Sequence, residues 1–175
     1  MPEQKTLLVA GAFCVSLLCS LAMAPDAMAE TFAAKVVSVV DGDTINVMHN
    51  GAKERVILYG VDSPELGQQF GAEARQFTDD RIYGKVVNVE THGTDPRGRT
   101  IAVVFAPDGS NLNQDLVKEG LAWWSDKFAP KDTKLKGMHV AAKTAQRGLW
   151  SAPNPIPPWI FRNGEKAVQA TIISK

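Results

Sequence analysis

The stretch from Thr31 to Val61 decides the fold, and it reads TFAAKVVSVVDGDTINVMHNGAKERVILYGV. Short runs rich in valine and isoleucine alternate with Asp-Gly and Asn-Gly, dipeptides typical of tight turns between strands. Three short strands joined by such turns form a meander. The strands are predicted at Phe32–Val40, Thr44–Met48 and Arg55–Val61, and the turns at 41–42 and 49–51.

The rest of the chain adds two strands and three helices to this meander. Helices are predicted where apolar residues recur at helical spacing and a glycine follows. They lie near Phe70–Phe77, near Leu112–Val117 and after Pro130, and the further strands are Val86–Thr91 and Thr100–Phe105. The expected fold is α+β and mainly β, a five-stranded Greek-key barrel of the OB type with three peripheral helices. It occupies residues 30–150, and the proline-rich tail at 151–175 is predicted to be extended.

Charge excludes one simple way of binding nucleic acid. The 175 residues hold 19 basic and 19 acidic side chains, and 18 basic and 17 acidic ones lie after residue 29. A protein held to nucleic acid by overall charge carries an excess of lysine and arginine. A nucleic-acid site in this chain is therefore expected to be a local cluster.

The N-terminal segment indicates export. Residues 6–24 carry no charge, Lys5 precedes them, and Ala27-Met28-Ala29 has the form of a cleavage signal. We expect residues 1–29 to be a signal peptide and the mature protein to be secreted or periplasmic. The alternative is an uncleaved anchor that leaves the protein facing outside. Cys14 and Cys19 both lie in this segment, so the mature chain would contain no cysteine.

Two acidic loops are the candidate sites for chemistry. Asp43 has the same strand parity as Ile45 and Val47, so its carboxylate starts on an apolar face, where a metal ion would compensate it. The alternative is that Asp41 and Asp43 only shape a turn. The second loop is Asp62-Ser63-Pro64-Glu65, in which one carboxylate can bind a hard cation and the other can accept a proton from water. A capped loop before a helix explains these residues equally well.

Taken together, these motifs resemble the staphylococcal nuclease (thermonuclease) family. The resemblance runs from about Ala34 to Trp150 and depends on several motifs in one order. They are the Asp-Gly-Asp-Thr turn at 41–44, the Val-Asp-Ser-Pro-Glu loop at 61–65, Asp95-Pro96-Arg97-Gly98-Arg99, the segment Leu116–Ala122 and Arg147-Gly148-Leu149-Trp150.

The resemblance implies a calcium-dependent enzyme that cuts DNA or RNA. It implies that Asp43 and Asp62 bind Ca²⁺ through their carboxylates and Ser63 through its backbone carbonyl. It also implies that Glu65 activates the attacking water and that Arg99 neutralises charge on the phosphoryl oxygens. An all-oxygen donor set without histidine or cysteine is one that calcium prefers.

The chain departs from the family at one catalytic position. The family places a second arginine five residues before the calcium-binding aspartate, where this chain has Ile57. Arg55 lies on the same strand face and is expected to take over the role, or else to be a solvated strand residue. Other tentative substrate contacts are Arg97, Trp123, Trp124 and Lys127, although packing explains the adjacent tryptophans better.

Three functions remain open at the level of sequence. The first is an exported, calcium-dependent endonuclease with nucleic acid as its partner, no stable protein partner, and no membrane contact once the leader is removed. The second is a nucleic-acid-binding OB module weakened in catalysis, which Ile57 favours. The third is a protein-binding or structural barrel, which the near-neutral charge favours and the set Asp43, Asp62, Glu65 and Arg99 disfavours.

Overall fold

The computed structural model describes residues 30–164. The expected leader with its two cysteines and cleavage site, and the end of the tail from residue 165, lie outside the described residues. In chain order the strands are β1 (Thr31–Val39), β2 (Thr44–His49), β3 (Ala52–Leu58), β4 (Val61–Asp62), β5 (Val86–Thr94), β6 (Thr100–Phe105) and β7 (Trp123–Trp124). The helices are α1 (Gly71–Ile82), α2 (Leu112–Lys118), α3 (Thr133–Thr144) and a 3₁₀ turn at Gly148–Ser151.

Five strands close into a barrel in the order β1-β2-β3-β6-β5. Neighbouring strands are antiparallel except for β3 and β6, which run parallel, and the pairing of β1 with β5 closes the barrel. Alternate residues of each strand point inward, and these positions hold the core. Its fully buried members include Val36, Ile45, Val47, Val56, Val89 and Val104. The α+β barrel with peripheral helices expected from the sequence is confirmed.

The third strand ends earlier than its apolar run predicts. β3 stops at Leu58, and β4 forms a separate two-stranded sheet with β7. Gly60 separates them with a φ of +74°, a conformation that favours glycine, and a side chain there would meet the Ala129 methyl group at 2.9 Å. The chain therefore leaves the barrel at Gly60 and carries Asp62 to its rim.

The tail differs from the extended conformation that its prolines predict. Residues 158–164 are helical, and we call this segment the tail helix. The backbone N–H groups of Ile160 and Phe161 both donate to the Pro157 carbonyl, at 3.0 and 3.1 Å. Pro158 begins the helix, a position where the missing proline N–H costs nothing. Within residues 30–164, no helix combines the length and apolar character needed to cross a membrane.

Candidate active site

The turn between β1 and β2 buries one carboxylate. Asp43 is 9 % exposed, and its Oδ1 accepts a hydrogen bond from the Thr44 hydroxyl at 2.9 Å. Its backbone N–H donates to Asp41 Oδ1 at 3.1 Å. The Thr78 hydroxyl of α1 donates to the Gly42 carbonyl at 2.7 Å, which ties the turn to that helix. These bonds hold the Asp43 carboxylate in one orientation.

The loop after β4 lies against this turn. The Ser63 backbone N–H donates to Asp43 Oδ2 at 2.7 Å, and Glu65 N–H donates to Gln68 Oε1 at 2.9 Å. A side chain at Gly42 would meet Ser63 Oγ at 2.6 Å, so only glycine allows the two segments to approach so closely. Ser63 Oγ itself is buried and has no hydrogen-bond partner in the described part of the chain. The fold thus brings the two acidic motifs together.

Burial raises the pKa of Asp43 well above its usual value, and the negative charges of Asp41 and Asp62 raise it further. A buried carboxylate beside two like charges is stabilised by a cation. The Asp-Gly dipeptide at 41–42 predicts only a turn, but in the structure the charge of Asp41 also acts on Asp43. The oxygen donors suit a hard cation such as Ca²⁺. Residues 30–164 nevertheless contain no group of three or more His, Cys, Asp or Glu side chains in a metal-binding arrangement.

Arg162 of the tail helix contacts both motif carboxylates after β4. Its Nη1 and Nη2 donate to Asp62 Oδ1 and Oδ2 at 3.0 and 2.8 Å, and Nη1 also donates to Glu65 Oε1 at 2.7 Å. The hydrogen bonds to Asp62 raise the pKa of Arg162 above its usual value. Sequence reasoning missed this residue, because a single arginine in a proline-rich tail has no spacing that links it to Asp62.

Arg99 lies at the start of β6 and is held by an acidic turn residue. Its Nε donates to Asp95 Oδ2 at 2.7 Å, and its backbone N–H donates to Asp95 Oδ1 at 2.9 Å. Its Nη2 lies 2.6 Å from Asp95 Oδ2 in the same ion pair. These hydrogen bonds lower the pKa of Asp95. The Arg99 side chain is one-third exposed, whereas Arg97 in the same turn is fully on the surface. Arg99 is thus oriented by the turn and accessible to a ligand.

Position 57 lies next to the site but carries no charge. Ile57 pairs with Thr44 of β2 and with Ile101 of β6, and its side chain is half-buried. Arg55 is exposed two residues earlier, and its Nε donates to Asn46 Oδ1 at 3.3 Å. The structure therefore directs Arg55 toward Asn46, with no hydrogen bond to Asp62 or Glu65 among those of residues 30–164.

The two adjacent tryptophans take part in packing. The Trp124 indole donates to the Ala129 carbonyl at 3.0 Å. The Trp123 ring meets the rings of Trp150 and Trp159 edge-on, with centroids 4.4 and 5.5 Å apart. Lys127 is exposed, with its ammonium 5.2 Å from the centroid of the Phe128 ring. Trp123 thus connects the barrel domain to the tail helix.

A model of the family described as staphylococcal nuclease homologue matches residues 55–152. The chain belongs to the staphylococcal nuclease family. It is 39 % identical over 129 residues to a protein of Escherichia coli O157:H7 called an uncharacterized endonuclease, covering 74 % of this chain and 84 % of that one. It is 38 % identical over 144 residues to a Shigella flexneri protein called micrococcal nuclease, covering 77 % and 83 % of the two chains.

A further family member is similar over a comparable span. An uncharacterized endonuclease of Haemophilus influenzae is 35 % identical over 133 residues, covering 75 % of this chain and 74 % of its own length. The family model includes the Asp62–Glu65 loop, Arg99 and the position of Ile57. It does not reach Asp43 or Arg162.

Proposed function

We propose that this protein is an exported, calcium-dependent nuclease that hydrolyses phosphodiester bonds of DNA or RNA. Its membership of the staphylococcal nuclease family, with relatives named as endonucleases, makes it a nuclease and therefore a hydrolase. One observation supports the finer proposal most. The Ser63 N–H bonds the buried Asp43 carboxylate, and this contact holds the segment that carries Asp62 and Glu65 against the turn that carries Asp43.

In this proposal Asp43, Asp62 and the Ser63 carbonyl would hold Ca²⁺. The bound ion would offset the negative charge that the phosphate oxygens present to an attacking water. Glu65 accepts one proton of that water as the water oxygen bonds to phosphorus. The bond between phosphorus and the leaving oxygen breaks, and the leaving oxygen keeps the electron pair and takes a proton from solvent. Arg99 donates to the phosphoryl oxygens, whose charge grows during this step.

A nucleic-acid-binding module with weakened catalysis is the second candidate, favoured by the uncharged Ile57 beside the site. Digestion of plasmid DNA and of RNA, with calcium and with a chelator, separates the two. The nuclease gives fragments only with calcium. Intact nucleic acid whose electrophoretic mobility is lowered by bound protein, both with calcium and with chelator, would favour the binding module.

Replacing the buried carboxylate tests the calcium assignment. We expect Asp43→Asn to raise the Tm of the calcium-free protein at neutral pH and to reduce the Tm gain that calcium gives the wild type. The amide removes a buried charge that Asp41 and Asp62 repel, and it removes an anionic ligand as well. The Asn oxygen can still accept from Ser63 N–H. Thermal unfolding with and without millimolar calcium measures both effects.

The Tm difference between Asp43→Asn and the wild type, measured without calcium, should change with pH in one direction. The pKa of Asp43 is raised in the folded state, so the folded protein favours the protonated carboxyl. The free energy of folding that this protonation contributes is fully present below the ordinary carboxyl pKa of about 4. It is lost as the pH rises through the raised pKa of the folded state. The advantage of Asp43→Asn without calcium should therefore vanish in acid and grow toward neutral pH. A wild-type Tm unchanged by calcium would contradict the metal assignment.

The position of the mature N-terminus tests whether the protein is exported and cleaved. We expect N-terminal sequencing of protein recovered outside the cytoplasm to begin at Glu30, because the Ala27-Met28-Ala29 triplet has small residues where a signal peptidase needs them. Recovery of only the full-length chain in the membrane fraction would contradict cleavage and support the anchored alternative.

A further inference from the structure

We propose that Arg162 of the tail helix is the second catalytic arginine of this site and supplies to the phosphate the guanidinium that position 57 lacks. The inference rests on the nuclease function proposed above. It assigns a catalytic role to a residue outside the barrel, 100 positions from the aspartate that it contacts.

The contacts of Arg162 leave it able to bind a phosphate. A guanidinium has five N–H donors, and three hydrogen bonds to Asp62 and Glu65 occupy both hydrogens of Nη1 and one of Nη2. The Nε hydrogen and the second Nη2 hydrogen take part in no hydrogen bond with residues 30–164. The side chain is 40 % exposed, and in this proposal these two donors bind the phosphate beside Glu65.

The other arginines near the site have partners other than Asp62 and Glu65. Arg99 pairs with Asp95, and Arg55 bonds Asn46. Within the described chain, Arg162 is the one basic side chain that forms an ion pair with Asp62 or Glu65. Two carboxylates repel a phosphodiester. A cation between the carboxylates and the substrate therefore lowers the electrostatic free energy of bringing the substrate into the site.

A hydrogen bond and aromatic contacts hold the tail against the loop that carries Glu65 and against β7. The Gln68 amide donates to the Ile156 carbonyl at 2.9 Å, the Phe161 ring lies against Gly67, and Trp159 meets Trp123 edge-on. A cavity of about 250 Å³ remains between the loop and the tail, lined by residues that include Pro64, Gly67, Phe70, Trp123, Ile156 and Phe161. Docking on this loop fixes the helix that presents Arg162, which reduces the entropy lost when the guanidinium binds a ligand.

A rival role for the same contacts is an inhibitory latch. The guanidinium donates hydrogen bonds to both Asp62 oxygens. A cation that binds Asp62 must therefore displace at least one of these two hydrogen bonds. Either role predicts that removing Arg162 leaves calcium affinity equal or higher. The two roles differ in turnover at saturating calcium, which falls if Arg162 stabilises the phosphate and does not fall if it only blocks the metal.

The test compares Arg162→Ala, Arg162→Lys, Ile57→Arg and the double variant Ile57→Arg/Arg162→Ala. The measurements are kcat and KM on a short oligonucleotide at saturating calcium, calcium affinity by calorimetry, and Tm. Arg162→Ala should lower kcat by about 10- to 100-fold, the range for losing one hydrogen bond to a charged group. Arg162→Lys should retain part of the kcat that Arg162→Ala loses. Arg81→Ala is the matched control, because it removes another half-exposed arginine ion pair, with Asp115, and should leave kcat unchanged.

The double variant gives the sharpest result. If Arg162 fills the role missing at position 57, Ile57→Arg should add little to the wild type and raise kcat at least about tenfold in the Arg162→Ala background.

The outcome that contradicts this inference differs from the outcome that contradicts the proposed function. An Arg162→Ala variant that is folded and as fast as an active wild type, or faster, overturns the inference alone. A wild type without calcium-dependent cleavage overturns the proposed function and this inference with it.

Discussion

Glu65→Gln should lower turnover by about 100- to 10,000-fold, the usual contribution of a general base. Gln has nearly the same shape but cannot take a proton from water at neutral pH. Its amide oxygen can still accept the hydrogen bond that Arg162 Nη1 donates to Glu65 Oε1. The Gln68 contact is made by the backbone N–H of residue 65, so the loop keeps it. The chemical step is therefore expected to slow while the loop keeps its conformation.

Single-turnover cleavage of an oligonucleotide at saturating calcium, together with Kd for the same oligonucleotide without turnover, measures this effect. Glu73→Gln is the matched control, since Glu73 is an exposed carboxylate in the first turn of α1. It should cleave like the wild type. A Glu65→Gln protein that cleaves at the wild-type rate would show that another group accepts the proton.

Arg99→Ala is expected to lower kcat by about 100- to 1,000-fold, the scale for removing one preorganised donor to a charge that develops in the transition state. KM should change far less, because the ground-state phosphate carries less charge at the oxygens that Arg99 would contact. Arg99→Lys should recover only part of the loss, since an ammonium cannot reproduce the planar fork.

An independent readout separates this catalytic role from a structural one. Hydrogen bonds from Arg99 are the main cause of the lowered pKa of Asp95, so Arg99→Ala should raise that pKa toward its ordinary value in an NMR titration. Backbone N–H groups of residues 97 and 99 still donate to Asp95 Oδ1 and keep the turn. A raised Asp95 pKa with unchanged kcat would limit Arg99 to supporting the turn.

Local patterns predicted most of the barrel, because each strand between Thr31 and Phe105 is short, rich in β-branched residues and bounded by a turn. The error at the end of β3 has a specific cause. The apolar run continues through Tyr59 to Val61, but Gly60 turns the chain out of the barrel. Periodicity reports which residues are apolar, and it does not report where a positive φ ends a strand.

The residues of the candidate site could be named from the sequence only where they fall in motifs. Asp43, Asp62 and Glu65 lie in two short segments, and the structure joins these segments through the Ser63–Asp43 hydrogen bond. Two features were missed for physical reasons. The Asp-Gly dipeptide at 41–42 is so common in turns that the charge of Asp41 went unused. The position of Arg162 beside Asp62 and Glu65 depends on side-chain docking of Trp159 and Phe161, which follows no spacing along the chain.

The separation of Asp62 from Arg162 also sets an order of events during protein synthesis. A ribosome adds roughly 5–20 residues per second, so roughly 5–20 s pass between residue 62 and residue 162. Of the five barrel strands, β1, β2 and β3 precede residue 62, and β5 and β6 are translated within that interval. All five therefore exist before the guanidinium that pairs with the carboxylates is made. A nascent chain can therefore complete its barrel while Asp62 and Glu65 still lack the guanidinium of Arg162.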